Sequence, residues 1–335
     1  MGPRDELARP LRDLRLSVTD RCNFRCPHCM PRERFGADHA FLEREELLSF
    51  EELTRLTRVL VGLGVRKVRL TGGEPLLRRD LHRLVEGLAG LEGVADLALT
   101  TNASLLASQA ERLAAAGLGR VTVSLDALDD PTFAMMADTR VPVATVLEGI
   151  EAAEAAGLGP VKVNAVVRRG RNEHAIEDLA DWGRRTGRTV RFIEYMDVGA
   201  TNGWRMDEVV PAEEILARLR RRFALEPVAA EAASEVAERW RHADGAAELG
   251  VIASVTRPFC RDCTRARVSA IGELYTCLFA AAGTDLRGPM RDGADDDQLA
   301  ARVVAIWSGR RDRYSEQRAE GTPTHQKVEM SYIGG

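Results

Sequence analysis

The sequence has no apolar run near the roughly 18 residues that a membrane helix needs, and Met1–Arg12 has no apolar core for a signal peptide. A cytoplasmic protein with no membrane partner is expected. It also has no excess of basic charge. Lys and Arg number 47 against 51 Asp and Glu, a net charge of −4, so no global field argues for nucleic acid. Lysine is scarce, confined to Lys67, Lys162 and Lys327, with arginine at every other basic position. Cysteine is missing from the whole stretch between Cys29 and Cys260. Six cysteines in a cytosolic chain are not read as three disulfides. The composition itself, 45% hydrophobic and 29% charged, excludes disorder and collagen, and 335 residues exceed one small domain.

From Leu14 to about Arg222 short apolar or β-branched runs alternate with amphipathic stretches. Strands are expected at Leu14–Val18, Lys67–Thr71, Asp96–Thr100, Arg120–Asp126, Val161–Val167 and Val190–Met196. The stretch after Ser49 begins with an N-cap and ends at Gly62 or Gly64, and a second ends at Gly117. Successive βα units imply a parallel sheet with right-handed crossovers, either doubly wound or most of a barrel. In both, chemistry gathers at the C-terminal ends of the strands. Polar residues fall there: Thr71-Gly72-Gly73-Glu74-Pro75, Thr100-Thr101-Asn102, Ser124-Leu125-Asp126 and Glu194-Tyr195-Met196-Asp197. After Arg222 the pattern breaks. Residues 223–250 fit a helix or a hairpin turning at Asp244-Gly245, followed by a strand over Glu273–Phe279 and a helix near Asp296–Trp307. Two domains are expected, 1–222 and 223–335.

The cysteines form two triads, Cys22, Cys26 and Cys29 in the loop after the first strand, and Cys260, Cys263 and Cys277 near the end. Two separated triads suggest two metal sites. Structural zinc wants four protein ligands, and only His28 stands near the first triad as a fourth. Iron–sulfur clusters are bound by thiolates, and three cysteines would leave one iron open to another ligand.

The first triad, followed by Gly72-Gly73-Glu74-Pro75 after the next strand, resembles the radical S-adenosylmethionine superfamily. Segments spread over nearly the whole chain are similar to the GTP 3′,8-cyclase family of molybdenum cofactor biosynthesis. They are LRLSVTDRCNFRCPHCMP, VRLTGGEPLLRRDL, LTTN, VSLDA, VKVNAVV, RFIEYMDVG and PFCRDCTRARVSA, together with Cys277 and the Gly-Gly terminus. The resemblance implies an α/β fold, a partial (β/α)6 TIM-like barrel with an appended C-terminal iron–sulfur domain. It implies two [4Fe-4S] clusters, one on each triad, and S-adenosyl-L-methionine on the open iron of the first. It implies a 5′-deoxyadenosyl radical that takes hydrogen from ribose C3′ of GTP, after which that carbon attacks guanine C8 to give 3′,8-cyclo-7,8-dihydro-GTP. His28, Gly73, Glu74, Ser124 and Met196 then fall at S-adenosylmethionine contacts. Arg15, Arg69, Thr100, Lys162, Arg265, Ala266 and Arg267 fall at GTP contacts, and Arg265, Arg267, Gly334 and Gly335 take part in the conversion. The implied partners are a low-potential electron donor of flavodoxin or ferredoxin type, a downstream cyclic pyranopterin monophosphate synthase and a second copy in a homodimer. Two positions depart from the family pattern: His28 stands where Tyr is usual, and Thr264 where Asn is usual.

Physical chemistry supports the same roles. Guanidinium groups meet phosphate oxygens through bidentate, charge-assisted hydrogen bonds. Arg15, Arg69 and Lys162 lie in apolar strand runs, where a charge needs an anionic partner: a bound polyanion, or a barrel carboxylate such as Glu194 or Asp126. The cluster Arg218, Arg220, Arg221 and Arg222 reads as a solvated helix face. Two other readings compete: a peptide-modifying radical enzyme, whose extra domain carries more than three cysteines, and a non-catalytic module, which would need fully ligated metals.

Overall fold

A computed structural model describes residues 2–232, 234–318 and 326–335. Six strands form the frame: β1 (Asp13–Ser17), β2 (Lys67–Thr71), β3 (Asp96–Thr101), β4 (Arg120–Ser124), β5 (Lys162–Val167) and β6 (Thr189–Glu194). They pair in sequence order, all parallel. The connections carry α1 (Phe50–Gly62), α2 (Leu81–Ala89), α3 (Ala110–Ala115), α4 (Asp130–Ala137), α5 (Val143–Ala155) and α6 (Ile176–Thr186). Ser49 caps α1 as its sequence indicates, closing a capping box with Glu52.

The rest of the chain adds to both ends of this frame. After α7 (Ala212–Arg222) come β7 (Leu225–Val228), β8 (Glu238–His242) and β9 (Glu248–Ile252), and β9 pairs parallel to β6. Then β10 (Arg265–Val268) pairs parallel to β1, with β11 (Glu273–Tyr275) and β12 (Thr284–Asp285) antiparallel beyond it. Among the described residues, one sheet therefore runs β12-β11-β10-β1-β2-β3-β4-β5-β6-β9-β8-β7, and it is not closed. This is a partial barrel extended at each edge by C-terminal strands. Short helices α8 (Arg287–Arg291), α9 (Asp296–Ser308), α10 (Tyr314–Gln317) and α11 (Met330–Ile333) complete the chain.

Of the two forms open at 223–250, the hairpin is the one adopted: β8 and β9 pair across Asp244-Gly245. The strand expected over Glu273–Phe279 stops at Tyr275, since β10 offers it only Arg267 and Val268 as partners. Arg218 and Arg222 pair with Glu177 and Asp178 of α6, in keeping with a solvated face.

Strands of a fully covered parallel sheet are usually apolar on both faces. Here they alternate. Leu14, Leu16, Val68, Leu70, Val163 and Ala165 are buried in the apolar core, while Arg15, Arg69, Thr71, Asn164 and Val166 line a cavity. No helix among the described residues is long and apolar enough to cross a membrane.

Candidate active site

One cavity of about 350 Å³ is lined by all six cysteines. The first triad sits on a loop pressed against the loop after β2. Gly73 N–H donates to Thr19 C=O at 2.9 Å, and Glu74 N–H donates to Arg21 C=O at 2.8 Å. A Cβ on Gly72 would meet Thr19 O at 2.4 Å, and one on Gly73 would meet Arg21 O at 2.2 Å. The glycine pair is what lets these loops touch. Arg25 ties the cysteine loop together by donating to Cys22 and Phe35 carbonyls, each at 2.6 Å.

Burial and the Glu74 carboxylate push the Cys22 thiol up to about 11. Burial and the neighbouring thiols raise Cys26 and Cys29 as well. Ionising all three together therefore requires positive charge brought in from outside the chain. Among the described residues no three His, Cys, Asp or Glu side chains converge tightly enough for a single metal ion. A four-iron cluster is wider than one ion and carries the charge that three thiolates need, so the donor set fits it.

The second triad lies among arginines. Arg310 donates to Cys263 C=O at 2.7 Å and to its sulfur at 3.3 Å, and Arg9 donates to Cys260 C=O at 2.7 Å. Burial pushes Cys263 up, but Arg265 and Arg310 outweigh it and bring the thiol down to about 6. Cys277 is pushed up to about 12 by burial and Asp312.

Sheet register places a row of arginines beside these triads. Arg15 is the register partner of Arg267 on one side and of Arg69 on the other. Neighbouring strands lie about 4.8 Å apart, so three guanidinium groups, Arg267 buried and Arg15 and Arg69 half-buried, stand side by side. Burial, then Arg267 and Arg265, push Arg15 well down, and burial with Arg265 lowers Arg267. Arg69 donates to the hydroxyls of Thr100 at 2.9 Å and Thr122 at 3.0 Å. Arg15 donates to Gly335 C=O, and Arg267 to Gly334 C=O. None of these acceptors is an Asp or Glu side chain. The barrel carboxylates are engaged elsewhere: Glu194 accepts from Ala212 and Val255 N–H at 2.7 Å, and Asp126 from Val166 N–H at 2.8 Å. The alternative of a barrel ion pair is not realised at Arg15 or Arg69. Three adjacent guanidinium groups with no Asp or Glu partner suit a polyanion.

At the other end of the cavity stand His28, Gly73, Glu74, Ser124, Asp126 and Met196. Glu74 is buried, accepting from Thr101 Oγ1 and Asn102 N–H at 2.7 Å, and burial pushes its carboxyl up to about 7. Burial and then Arg168 bring His28 down to about 4, so its ring is neutral, and its Nδ1 is buried with no partner. Asn164 Oδ1 is likewise unpartnered. These orphaned polar atoms in a lined cavity fit a bound polar molecule.

The expected residues Arg15, Arg69, Thr100, Arg265, Arg267 and Gly335 all line this cavity. Lys162, which starts β5 two residues before Asn164, and Gly334 are not among the residues that line it. Ala266 is different: its side chain is fully buried in the core, because it alternates with the cavity-facing Arg265 and Arg267. Thr264 points its hydroxyl at the Asp13 carboxylate. Sequence reasoning missed Arg9, Arg191 and Arg310, which also line the cavity. Arg191 carried a readable signal, since it interrupts an apolar strand run as Arg69 does. Arg9 and Arg310 carried none.

Residues 16–183 match the radical SAM superfamily, and residues 188–316 match the family described as Molybdenum Cofactor Synthesis C. A GTP 3′,8-cyclase of Acidothermus cellulolyticus is 55% identical over 99% of both chains. One from Xanthomonas axonopodis pv. citri is 51% identical, and one from Staphylococcus epidermidis 48%, each over 99% of this chain and 98% of the relative. Among solved structures, Streptococcus suis SuiB bound to S-adenosylmethionine shares the fold, with a TM-score of 0.63 over 96% of this chain and 77% of that one at 16% identity. With two cysteine triads and a row of arginines in one cavity, and likeness from end to end, the chain belongs to the GTP 3′,8-cyclase family of the radical SAM superfamily.

Proposed function

We propose that this protein converts GTP to 3′,8-cyclo-7,8-dihydro-GTP in the first step of molybdenum cofactor biosynthesis. One observation carries this reading: both triads line a single cavity, one end bearing acidic groups and the other the row Arg15, Arg69 and Arg267, which no Asp or Glu side chain pairs with. Cys22, Cys26 and Cys29 hold one [4Fe-4S] cluster, and Cys260, Cys263 and Cys277 hold a second. With S-adenosylmethionine beside it, the first cluster would supply one-electron reducing chemistry.

The chain's own residues bind, orient and exclude water. Glu74 and Asp126 suit the cationic groups of S-adenosylmethionine, with Ser124, Met196, Gly73 and the neutral His28 around it. Arg15, Arg69, Arg191 and Lys162 neutralise the triphosphate, whose charge relieves their mutual repulsion. Arg265 and Arg267 hold the nucleotide beside the second triad, and Gly334-Gly335 closes over it. Ala266 contributes backbone only. Residues 1–222 thus carry the radical end and 223–335 complete the substrate end. The enzyme works in the cytoplasm as a homodimer, draws on a flavodoxin- or ferredoxin-type donor and passes product to the cyclic pyranopterin monophosphate synthase. The reconstituted protein, incubated anaerobically with GTP, S-adenosylmethionine and dithionite, yields by mass analysis a cyclised nucleotide. Cleaved S-adenosylmethionine with unaltered GTP would refute the reading.

A further inference from the structure

The tail that brings Gly334 and Gly335 to the arginines is bonded at its root, Lys327–Glu329, to two other segments. Lys327 Nζ donates to the Asp197 carboxylate at 2.8 Å and to its backbone carbonyl at 2.5 Å. Val328 N–H donates to Ala280 C=O at 2.9 Å. The Glu329 carboxylate accepts from Ala200 N–H at 3.0 Å and from the Thr201 hydroxyl at 3.1 Å. Asp197 does more than meet Lys327. It accepts the Tyr314 hydroxyl at 2.5 Å and pairs with Arg318 at 2.7 Å. The side chains of Asp197, Arg318 and Lys327 are only 8%, 9% and 10% exposed. The Lys327 ammonium also lies 4.7 Å from the Tyr314 ring and 5.6 Å from that of Phe279, which stack on each other.

One buried carboxylate therefore joins three parts of the site. It follows Met196 in the loop after β6, its neighbour Val198 packs with Phe279 just past Cys277, and it grips the tail. Breaking one partner of a buried pair leaves the other charge uncompensated, so the junction is held firmly or lost together. A lysine suits the position: its compact charge donates at once to a carboxylate and a carbonyl while lying over two rings.

We propose that Asp197 is a positioning residue for the reaction, acting through Lys327 to hold the tail so that Gly334 and Gly335 remain against Arg267 and Arg15. The proposal rests on the cyclase reading above. Its test uses the full-length reconstituted enzyme with Lys327→Met, Lys327→Arg and Asp197→Asn. Amide hydrogen exchange over residues 328–335 is measured with and without clusters, alongside the ratio of 5′-deoxyadenosine to cyclised nucleotide. Lys327→Met and Asp197→Asn should speed tail exchange by about tenfold or more, leave iron content unchanged and raise the ratio several-fold. Lys327→Arg, which keeps the charge, should return both readouts toward wild type. Glu329→Gln, which spares the buried pair, gives a second route to the same loosening if Asp197→Asn fails to fold. Unchanged tail exchange in Lys327→Met overturns the proposal, and so does faster exchange with an unchanged ratio. A wild type that forms no cyclised nucleotide overturns the cyclase reading instead, while tail exchange still decides whether Lys327 holds the tail.

Discussion

The two triads share a cavity but not an electrostatic environment. Around Cys22, Cys26 and Cys29 the charged neighbours raise the thiols, Glu74 and Asp126 among them. Around Cys263 the neighbours are Arg265 and Arg310, and the thiol falls to about 6 despite its burial. The contrast lies between Cys263 and the first triad, since Cys277 is itself pushed up by burial and Asp312. The acidic groups beside the first triad suit a molecule with cationic groups, and the arginines beside Cys263 suit a polyanion.

The most drastic way to break that contrast is to remove one triad at a time. Cys26→Ala should lose the first cluster and bring 5′-deoxyadenosine formation down to background. Cys263→Ala should keep roughly four of about eight irons and some uncoupled cleavage of S-adenosylmethionine, yet make no cyclised nucleotide. Iron analysis and chromatography of both products check this pair, and normal product from Cys263→Ala would reduce the second triad to a structural role.

A smaller effect is expected in the arginine row. Arg267→Met removes a charge-assisted bond worth about 1.5–3 kcal/mol, so GTP should bind about ten- to a hundredfold more weakly. Affinity for S-adenosylmethionine should not change, and equilibrium binding of both ligands tests the separation. Equal losses for both would mean that the two ends are not distinct.

The tail gives a sharper probe. Gly334 has φ +78°, and a Cβ there would meet Thr71 Oγ1 at 1.9 Å. Gly334→Ala should displace the tail at a cost of about 1–3 kcal/mol of strain, lowering cyclised product while iron content and S-adenosylmethionine binding hold. Deleting Gly334 and Gly335 should do the same. Wild-type yields would show the tail to be a bystander.

The mildest effect concerns pH. Burial, then Arg191 and Arg120, bring Lys162 down to about 8. A lysine is charged below its pKa, so GTP affinity should be greatest below pH 8 and weaken as pH rises above it. Lys162→Met should bind less tightly and lose that slope relative to wild type, as nucleotide titrations between pH 7 and 9 would show.

Much of the frame was legible. The expected strands match β1 to β6 within a residue or two, because each unit follows its own local periodicity. Residues 223–250 were ambiguous because the hairpin of β8 and β9 is anchored by β9 pairing onto β6, a contact no local window contains. Lys162 and Arg69 stood out as charges in apolar runs. Arg9 and Arg310 did not, since they lie in ordinary polar surroundings along the chain and converge near Cys260 and Cys263 only in three dimensions.

What the sequence determined by itself is local: the cysteine spacing, the alternation of the strands, the capping of α1 and the glycine pair that lets two loops touch. What only the tertiary structure decided is which distant residues share a row. Arg15, Arg69 and Arg267 become neighbours because β10, formed some 250 residues after β1, pairs with it in a register that aligns Arg15 with Arg267. In a strand, side chains alternate faces, so a shift of one residue would have turned Arg267 into the core and Ala266 into the cavity.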